Sequence, residues 1–212
     1  HVLTHTLHYG VGVFEGIRCY ELDTGGSAIF RLKEHVNRLF DSAHILMLEM
    51  PFDRDEMTKA CKAVIKENGL KHGYIRPIAF LGNGEMGLAA SNATRVAVAA
   101  WPWGTYLGDE GVKNGIRAKI SSFTRHHVNT TLNKAKTCAT YVNSILAKRE
   151  AIKGGYEEAI LLDTEGYVAE ATGENIFLVK GGHVKTTPSG ASILDGITAA
   201  SVRQVLTDLK ID

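Results

Sequence analysis

Two domains of the α+β class are predicted by three features of this 212-residue sequence. Its β-rich runs cluster instead of alternating with helices. Two helical patterns follow one another directly, over 33–48 and from Asp53 to about Gly69. A stretch with turn chemistry and no periodicity, Pro102-Trp103-Gly104-Thr105-Tyr106-Leu107-Gly108-Asp109, lies between the halves. The expected organisation is a small domain over 1–101, a linker over 102–110 and a larger domain over 111–212.

In chain order, residues 11–21 have strand composition, and 28–32 make a second strand after the turn Asp23-Thr24-Gly25-Gly26. Val36, Leu39, Phe40, Ala43 and Leu46 recur at helical spacing. Asp53 is placed to cap the next helix, which buries Met57, Ala60, Cys61, Val64 and Ile65 and stops at Asn68-Gly69. Residues 74–81 and 94–101 read as strands joined by a Gly-rich loop, and 116–123 as another strand. A helix is expected from about Lys136 to Gly154-Gly155, then a meander over 158–184. A final helix opens at Asp195-Gly196-Ile197-Thr198.

Composition excludes several classes. The net charge is +1 and no block of like charge stands out, which argues against a nucleic-acid-binding surface or a charged tail. The longest apolar run, 96–101, is too short to cross a bilayer. Cys19, Cys61 and Cys138 form no CxxC pattern, so reduced thiols and a cytoplasmic location are expected. Gly82-Asn83-Gly84-Glu85-Met86-Gly87 fits G-x-G-x-x-G, but only six residues separate it from the next strand. A parallel crossover needs a dozen or more, so a hairpin loop is expected instead of a dinucleotide site. No His, Cys or carboxylate spacing supplies three metal ligands, and no G-x-S-x-G elbow is present.

The chemistry centres on Asn133-Lys134-Ala135-Lys136-Thr137-Cys138-Ala139. Lys136 stands among small uncharged residues where a polar run gives way to a helix. A lysine so placed can lose its proton and attack a carbonyl. If it carries pyridoxal 5'-phosphate (PLP) as a Schiff base, three demands follow. Glu170 answers the need for a charged partner at the pyridinium nitrogen. Arg38 and the helix start Gly196-Ile197-Thr198 answer the need for a phosphate cradle. Tyr141, just over one turn after Lys136, answers the need for a phenol near O3'. Periodicity does not show that these residues converge.

On these residues the chain resembles the branched-chain amino-acid aminotransferases, fold-type IV PLP enzymes of the class IV aminotransferase family. The motifs, in family order, are His8-Tyr9-Gly10 with Val13-Phe14-Glu15-Gly16-Ile17-Arg18; Arg38-Leu39 with Asp41-Ser42-Ala43; Tyr74-Ile75-Arg76-Pro77; Pro102-Trp103-Gly104; Lys136 with Tyr141; Tyr167 to Glu170 with Gly173-Glu174-Asn175; and Gly196-Ile197-Thr198. The resemblance implies that Lys136 is the Schiff-base lysine, with Glu170 at the pyridine nitrogen and Tyr141 near O3'. It implies that Arg38, Ile197 and Thr198 hold the phosphate and that Leu194 packs on the ring. Phe14, Tyr74, Trp103 and Tyr106 match the residues around the substrate side chain. Arg76, with Tyr9 of the partner subunit, matches the site for glutamate's distal carboxylate. Met86 and Leu88 lie in a loop lent to the neighbouring subunit. The implied reaction is ping-pong transamination between leucine, isoleucine or valine and 2-oxoglutarate in a homodimer or higher homo-oligomer.

Two departures from the family pattern stand beside the cofactor residues: a second lysine at Lys134, and Ala171-Thr172 before Gly173. The family pattern also continues past Asp212, so the larger domain is expected to be partial. The other readings are a D-amino-acid transaminase, an aminodeoxychorismate lyase, or a non-catalytic dimerisation protein of the same fold. Intact Lys136, Glu170 and Arg38 argue against the last.

Overall fold

The computed structural model describes residues 1–104 and 108–211. The chain divides into two compact units, His1–Tyr106 with Ala135–Ala139, and Leu107–Lys134 with Thr140–Asp212. The five residues around Lys136 therefore pack with the first unit, although they were expected with the second half of the chain.

The first unit contains α1 (His5–Tyr9), β1 (Gly12–Phe14), β2 (Ile17–Glu21), β3 (Ser27–Ile29), α2 (Leu32–Ile45), α3 (Arg54–Glu67), β4 (Gly73–Leu81) and β5 (Thr94–Trp101). All strand pairings here are antiparallel. β4 pairs with β5 along one edge and with β1 and β2 in succession along the other. The single strand expected over 11–21 is thus two strands in one register, broken at Glu15-Gly16. Pro77 explains the break: it accepts from the Glu15 amide (2.9 Å) but has no N–H to return. Gly16 is required there, because a Cβ would stand 1.8 Å from the Tyr74 hydroxyl. β2 and β3 turn through Gly25 and Gly26, both at positive φ, which glycine adopts without steric cost.

β4 alternates, with Gly73, Ile75, Pro77 and Ala79 buried. Ile75 and Ala79 join Val13, Ile17, Val36, Leu39, Met57 and Cys61 in one core under α2 and α3. That period of two leaves Tyr74 and Arg76 together on the opposite face of the strand. Asp53 caps α3 as expected: its carboxylate accepts from the Glu56 amide (2.8 Å) and the Glu56 carboxylate accepts from the Asp53 amide (2.9 Å). The Gly-rich 82–93 segment joins two antiparallel strands, which excludes a dinucleotide-binding crossover.

The second unit contains α4 (Gly108–Asn114), β6 (Ala118–Ile120), α5 (Tyr141–Lys153), β7 (Glu158–Leu162), β8 (Val168–Ala171), β9 (Phe177–Lys180), β10 (His183–Thr186) and α6 (Ile197–Asp208). α4 starts inside the stretch read as a linker. β6 and β7 are parallel, and β7 and β8 antiparallel. β9 and β10 form a separate hairpin, so the meander expected over 158–184 is two sheets. The division falls where the Ala171 amide turns back to the Glu174 carbonyl (2.8 Å). Among the described residues no helix is long and apolar enough to cross a membrane.

Candidate active site

The helix expected from Lys136 starts instead at Tyr141. Backbone pairing accounts for the difference. The Lys136 carbonyl accepts from the Phe14 amide (3.1 Å), the Cys138 amide donates to the Gly12 carbonyl (2.8 Å), and Thr137 bridges Val13. A segment that commits the Lys136 carbonyl and the Cys138 amide to β1 cannot also use them in a helix. The Lys136 amide donates to Ser42 Oγ (3.0 Å) on α2, and the Thr137 amide closes a three-residue turn on the Ala135 carbonyl (3.1 Å). Lys136 is thereby fixed at the apex of a turn, and its Nζ lies 5.1 Å from the centre of the Phe14 ring.

Burial pushes the Lys136 amine down from 10.5 to about 8, helped by the Arg38 and Arg76 charges and opposed by Glu15 and Tyr74. The amine is therefore neutral on the order of 10²-fold more often at pH 7 than an exposed lysine.

His35, Arg38 and Ser42 are spaced i, i+3, i+7 on α2 and so share a face. Arg38 donates through Nε to Glu15 Oε1 (2.6 Å) and through Nη2 to Glu15 Oε2 (2.8 Å). His35 Nδ1 is 2.7 Å from the same Oε2. Burial alone would raise the Glu15 carboxyl, but these hydrogen bonds and charges hold it at about 2. An ionised carboxylate only accepts, so His35 Nδ1 carries the proton.

On β4, the Arg76 guanidinium lies 4.5 Å from the Phe14 ring centre, 5.2 Å from Tyr74 and 5.8 Å from Trp101. It donates to the Tyr74 hydroxyl (3.1 Å), while its Nε is buried with no hydrogen-bond partner among the described residues. Trp103 packs edge-on against Tyr74 at 4.5 Å, and Arg18 holds the Trp103 carbonyl (2.6 Å). Phe14, Tyr74, Arg76, Trp103 and Lys136 all belong to the first unit.

A second cluster lies within the second unit. Glu170, buried on β8, takes Arg125 Nε (2.7 Å) and Nη2 (2.6 Å) on Oε1. Its Oε2 faces the Leu194 amide (3.2 Å) and Asn175 Nδ2 (3.4 Å). Arg125 is itself placed by its amide on the Leu162 carbonyl (2.7 Å) and by Nη1 on Asn143 and Ser144. Removing one partner of such a buried pair costs roughly 3–5 kcal/mol, because the other charge is stranded. Just beyond Leu194, α6 begins at Ile197 and Thr198 behind the N-cap Gly196.

The class IV amino-transferase family model matches residues 12–212. The chain belongs to the class IV aminotransferases. A branched-chain-amino-acid aminotransferase of Pseudomonas aeruginosa is 53% identical over 95% of this chain and 66% of its own length. This aminotransferase chain thus spans about two thirds of that relative. The crystal structure of the Escherichia coli branched-chain amino acid aminotransferase superposes with a TM-score of 0.97 at 44% identity, over 100% of this chain and 70% of that one. The T.th. branched-chain amino acid aminotransferase complexed with N-(5'-phosphopyridoxyl)-L-glutamate gives 0.93 at 45% identity, over 100% and 69%.

The remaining residues expected for a class IV aminotransferase fall as follows. Tyr141 opens α5. Tyr9 is exposed at the end of α1, its ring tilted against that of His5 with centres 4.6 Å apart. Met86 and Leu88 sit 41% and 91% exposed in the β4–β5 loop, which His5 pins through the Gly87 carbonyl (2.9 Å). Tyr106 lies outside the described residues.

Both departures from the family pattern turn to other partners. Thr172 is buried and donates to Glu158 Oε1 (2.7 Å). Lys134 Nζ holds the loop before α6 through the Ser189 and Ile193 carbonyls (3.2 Å to Ile193) and Asp195 Oδ2 (3.3 Å). Sequence reasoning missed Arg125, a lone arginine in an aperiodic stretch with nothing to single it out. It also gave Glu15 no role, although a carboxylate inside a β-rich run next to Gly16 was a usable signal.

Proposed function

We propose that the protein is a transaminase that moves the α-amino group between branched-chain L-amino acids and 2-oxoglutarate, using PLP. The observation that carries this reading is the Lys136 amine, fixed at a turn and held at about 8. An amine in that range can act on a carbonyl carbon and can take up or release a proton near neutral pH.

Taken unit by unit, the residue types suit the cofactor's separate groups. A part-neutral amine suits an aldehyde, the Arg38 cation and the start of α6 suit a phosphate ester, and the Glu170 carboxylate suits a pyridine nitrogen. When bound, PLP supplies an electrophilic carbon and an electron-withdrawing ring. Lys136 would hold it and then move a proton at Nζ as general base and acid. Glu170, faced by Arg125, would hold the proton at the ring nitrogen, with Leu194 beside the ring and Tyr141 near O3'. Ile197 and Thr198 would add to the phosphate cradle. The T.th. relative's ligand unites a phosphopyridoxyl group with glutamate, which supports the same pairing of cofactor and amino donor.

For the substrate, Phe14, Tyr74, Trp103 and Tyr106 would line an aliphatic chain. Arg76 would receive glutamate's distal carboxylate; its Nε is buried with no hydrogen-bond partner among the described residues, which supports this assignment. We also read the protein as a cytoplasmic homodimer. Tyr9 of the partner subunit would join Arg76, and Met86 and Leu88 would reach the neighbouring pocket. The free thiols Cys19, Cys61 and Cys138 suit a reducing compartment.

Borohydride reduction of the PLP-loaded protein followed by peptide mapping tests the central assignment. The label is expected on Lys136, and a label on Lys134 overturns it. In half-reactions, L-leucine is expected to bleach the cofactor absorbance; conversion of D-alanine alone would instead make this a D-amino-acid transaminase.

A further inference from the structure

We propose that Glu15 is the positioning residue that aims the Arg38 guanidinium at the cofactor's phosphate ester. The proposal rests on the reading of Arg38 as a phosphate-binding residue.

Glu15 is 0% exposed, a state that a carboxylate sustains only when it is fully paired. Its two oxygens take two of the three guanidinium nitrogens of Arg38, at 2.6 and 2.8 Å. An arginine on a half-buried helix face has many rotamers open to it, and two parallel hydrogen bonds select one. Because the guanidinium is planar, fixing Nε and Nη2 also fixes the direction in which Nη1 points.

The carboxylate is itself held on several sides. His35 Nδ1 is 2.7 Å from Oε2, the Gly16 amide is 3.3 Å from the same oxygen, and the Glu15 amide donates to the Pro77 carbonyl (2.9 Å). The preceding residue, Phe14, binds the Lys136 carbonyl through its amide (3.1 Å). Adjacent residues of one segment thus set both the backbone of the amine-bearing lysine and the direction of the phosphate arginine. A register fixed by β4 serves both.

The experiment compares affinity for PLP with affinity for pyridoxal, which lacks the phosphate, in holoprotein stripped and reloaded. The variants are Glu15→Gln, Glu15→Asp, Arg38→Met and the double variant Glu15→Gln/Arg38→Met. The wild type is expected to prefer PLP strongly. Arg38→Met is expected to lose about 10–100-fold of that preference, the worth of a charge-assisted hydrogen bond. Glu15→Gln is expected to lose about 10-fold, and Glu15→Asp, which keeps the charge but retracts it by one methylene, about 3-fold. In the Arg38→Met background, Glu15→Gln is expected to change the preference no further, since it acts through Arg38.

Equal weakening of both ligands by Glu15→Gln, with the preference kept, assigns Glu15 a purely structural role and overturns the proposal. If Glu15→Gln does not fold, Glu15→Asp decides: an unchanged preference there overturns it. If Arg38→Met itself keeps the preference, the reading of Arg38 fails, and that result is distinct from a failure at Glu15 alone.

Discussion

The lowered amine of Lys136 is an electrostatic cost to the fold. Its folded-state value of about 8 lies below the ordinary 10.5, so folding penalises the ammonium form. The penalty is complete below pH 8 and fades as pH rises toward 10.5. Lys136→Met is therefore expected to stabilise the cofactor-free protein by about 1–3 kcal/mol at pH 7, discounted for partial exposure. The gain should fall toward zero by pH 10. Urea unfolding at the two pH values checks this, and a gain independent of pH contradicts it. Glu15 has the opposite sign. Held at about 2, it stabilises the fold above the ordinary 4.5, and that contribution is lost as pH falls from 4.5 through 2. The sequence pointed to Lys136 through its small neighbours, because close packing around an amine leaves a compositional trace. Arg125 left no such trace and Glu15 only its place inside a β-rich run, since their partners lie 45 and 23 residues away.

At the scale of elements, the loop between β10 and α6 shows how a departure from a family pattern can be absorbed. Lys134 holds two of its carbonyls and Asp195, and the same loop presents the Leu194 amide to Glu170. Lys134→Met is expected to speed amide exchange several-fold over 189–195. Global stability should change by less than about 1 kcal/mol, because the ion pair is partly exposed. Exchange that rises evenly along the chain, or not at all in this loop, contradicts the assignment. The long periodic elements α2, α3 and β4 could be read from sequence, because a repeat of 3.6 or 2 needs only local information. The start of α5 could not. Residues 136–140 carry two threonines and a cysteine, which favour a helix only weakly, and pairing with β1, more than 120 residues earlier, takes their backbone groups instead.

At the scale of the whole molecule, the exposed apolar residues around α1 and the β4–β5 loop bear on self-association. Val2, Leu7 and Leu88 are largely solvent-facing in the isolated chain. If two copies meet there, Leu88→Glu is expected to shift sedimentation toward monomer. Its effect on unfolding free energy at low protein concentration should stay within about 0.5 kcal/mol, as for a surface substitution. A dimer that persists unchanged rules that face out. A division of the chain could be proposed from the aperiodic stretch near 102–110. The return of Ala135–Ala139 to the first unit could not, because no local pattern announces which body a short extended segment will join.

That return has a consequence for how the chain folds. The first unit is not finished when residue 106 leaves the ribosome, and its last piece arrives only with residue 139. Closing the intervening loop of roughly 30 residues costs about 3 kcal/mol of chain entropy beyond a constant. The packing around the lysine is therefore a late, long-range event in folding. Until it closes, Lys136 remains a flexible, fully charged side chain like any other on the surface.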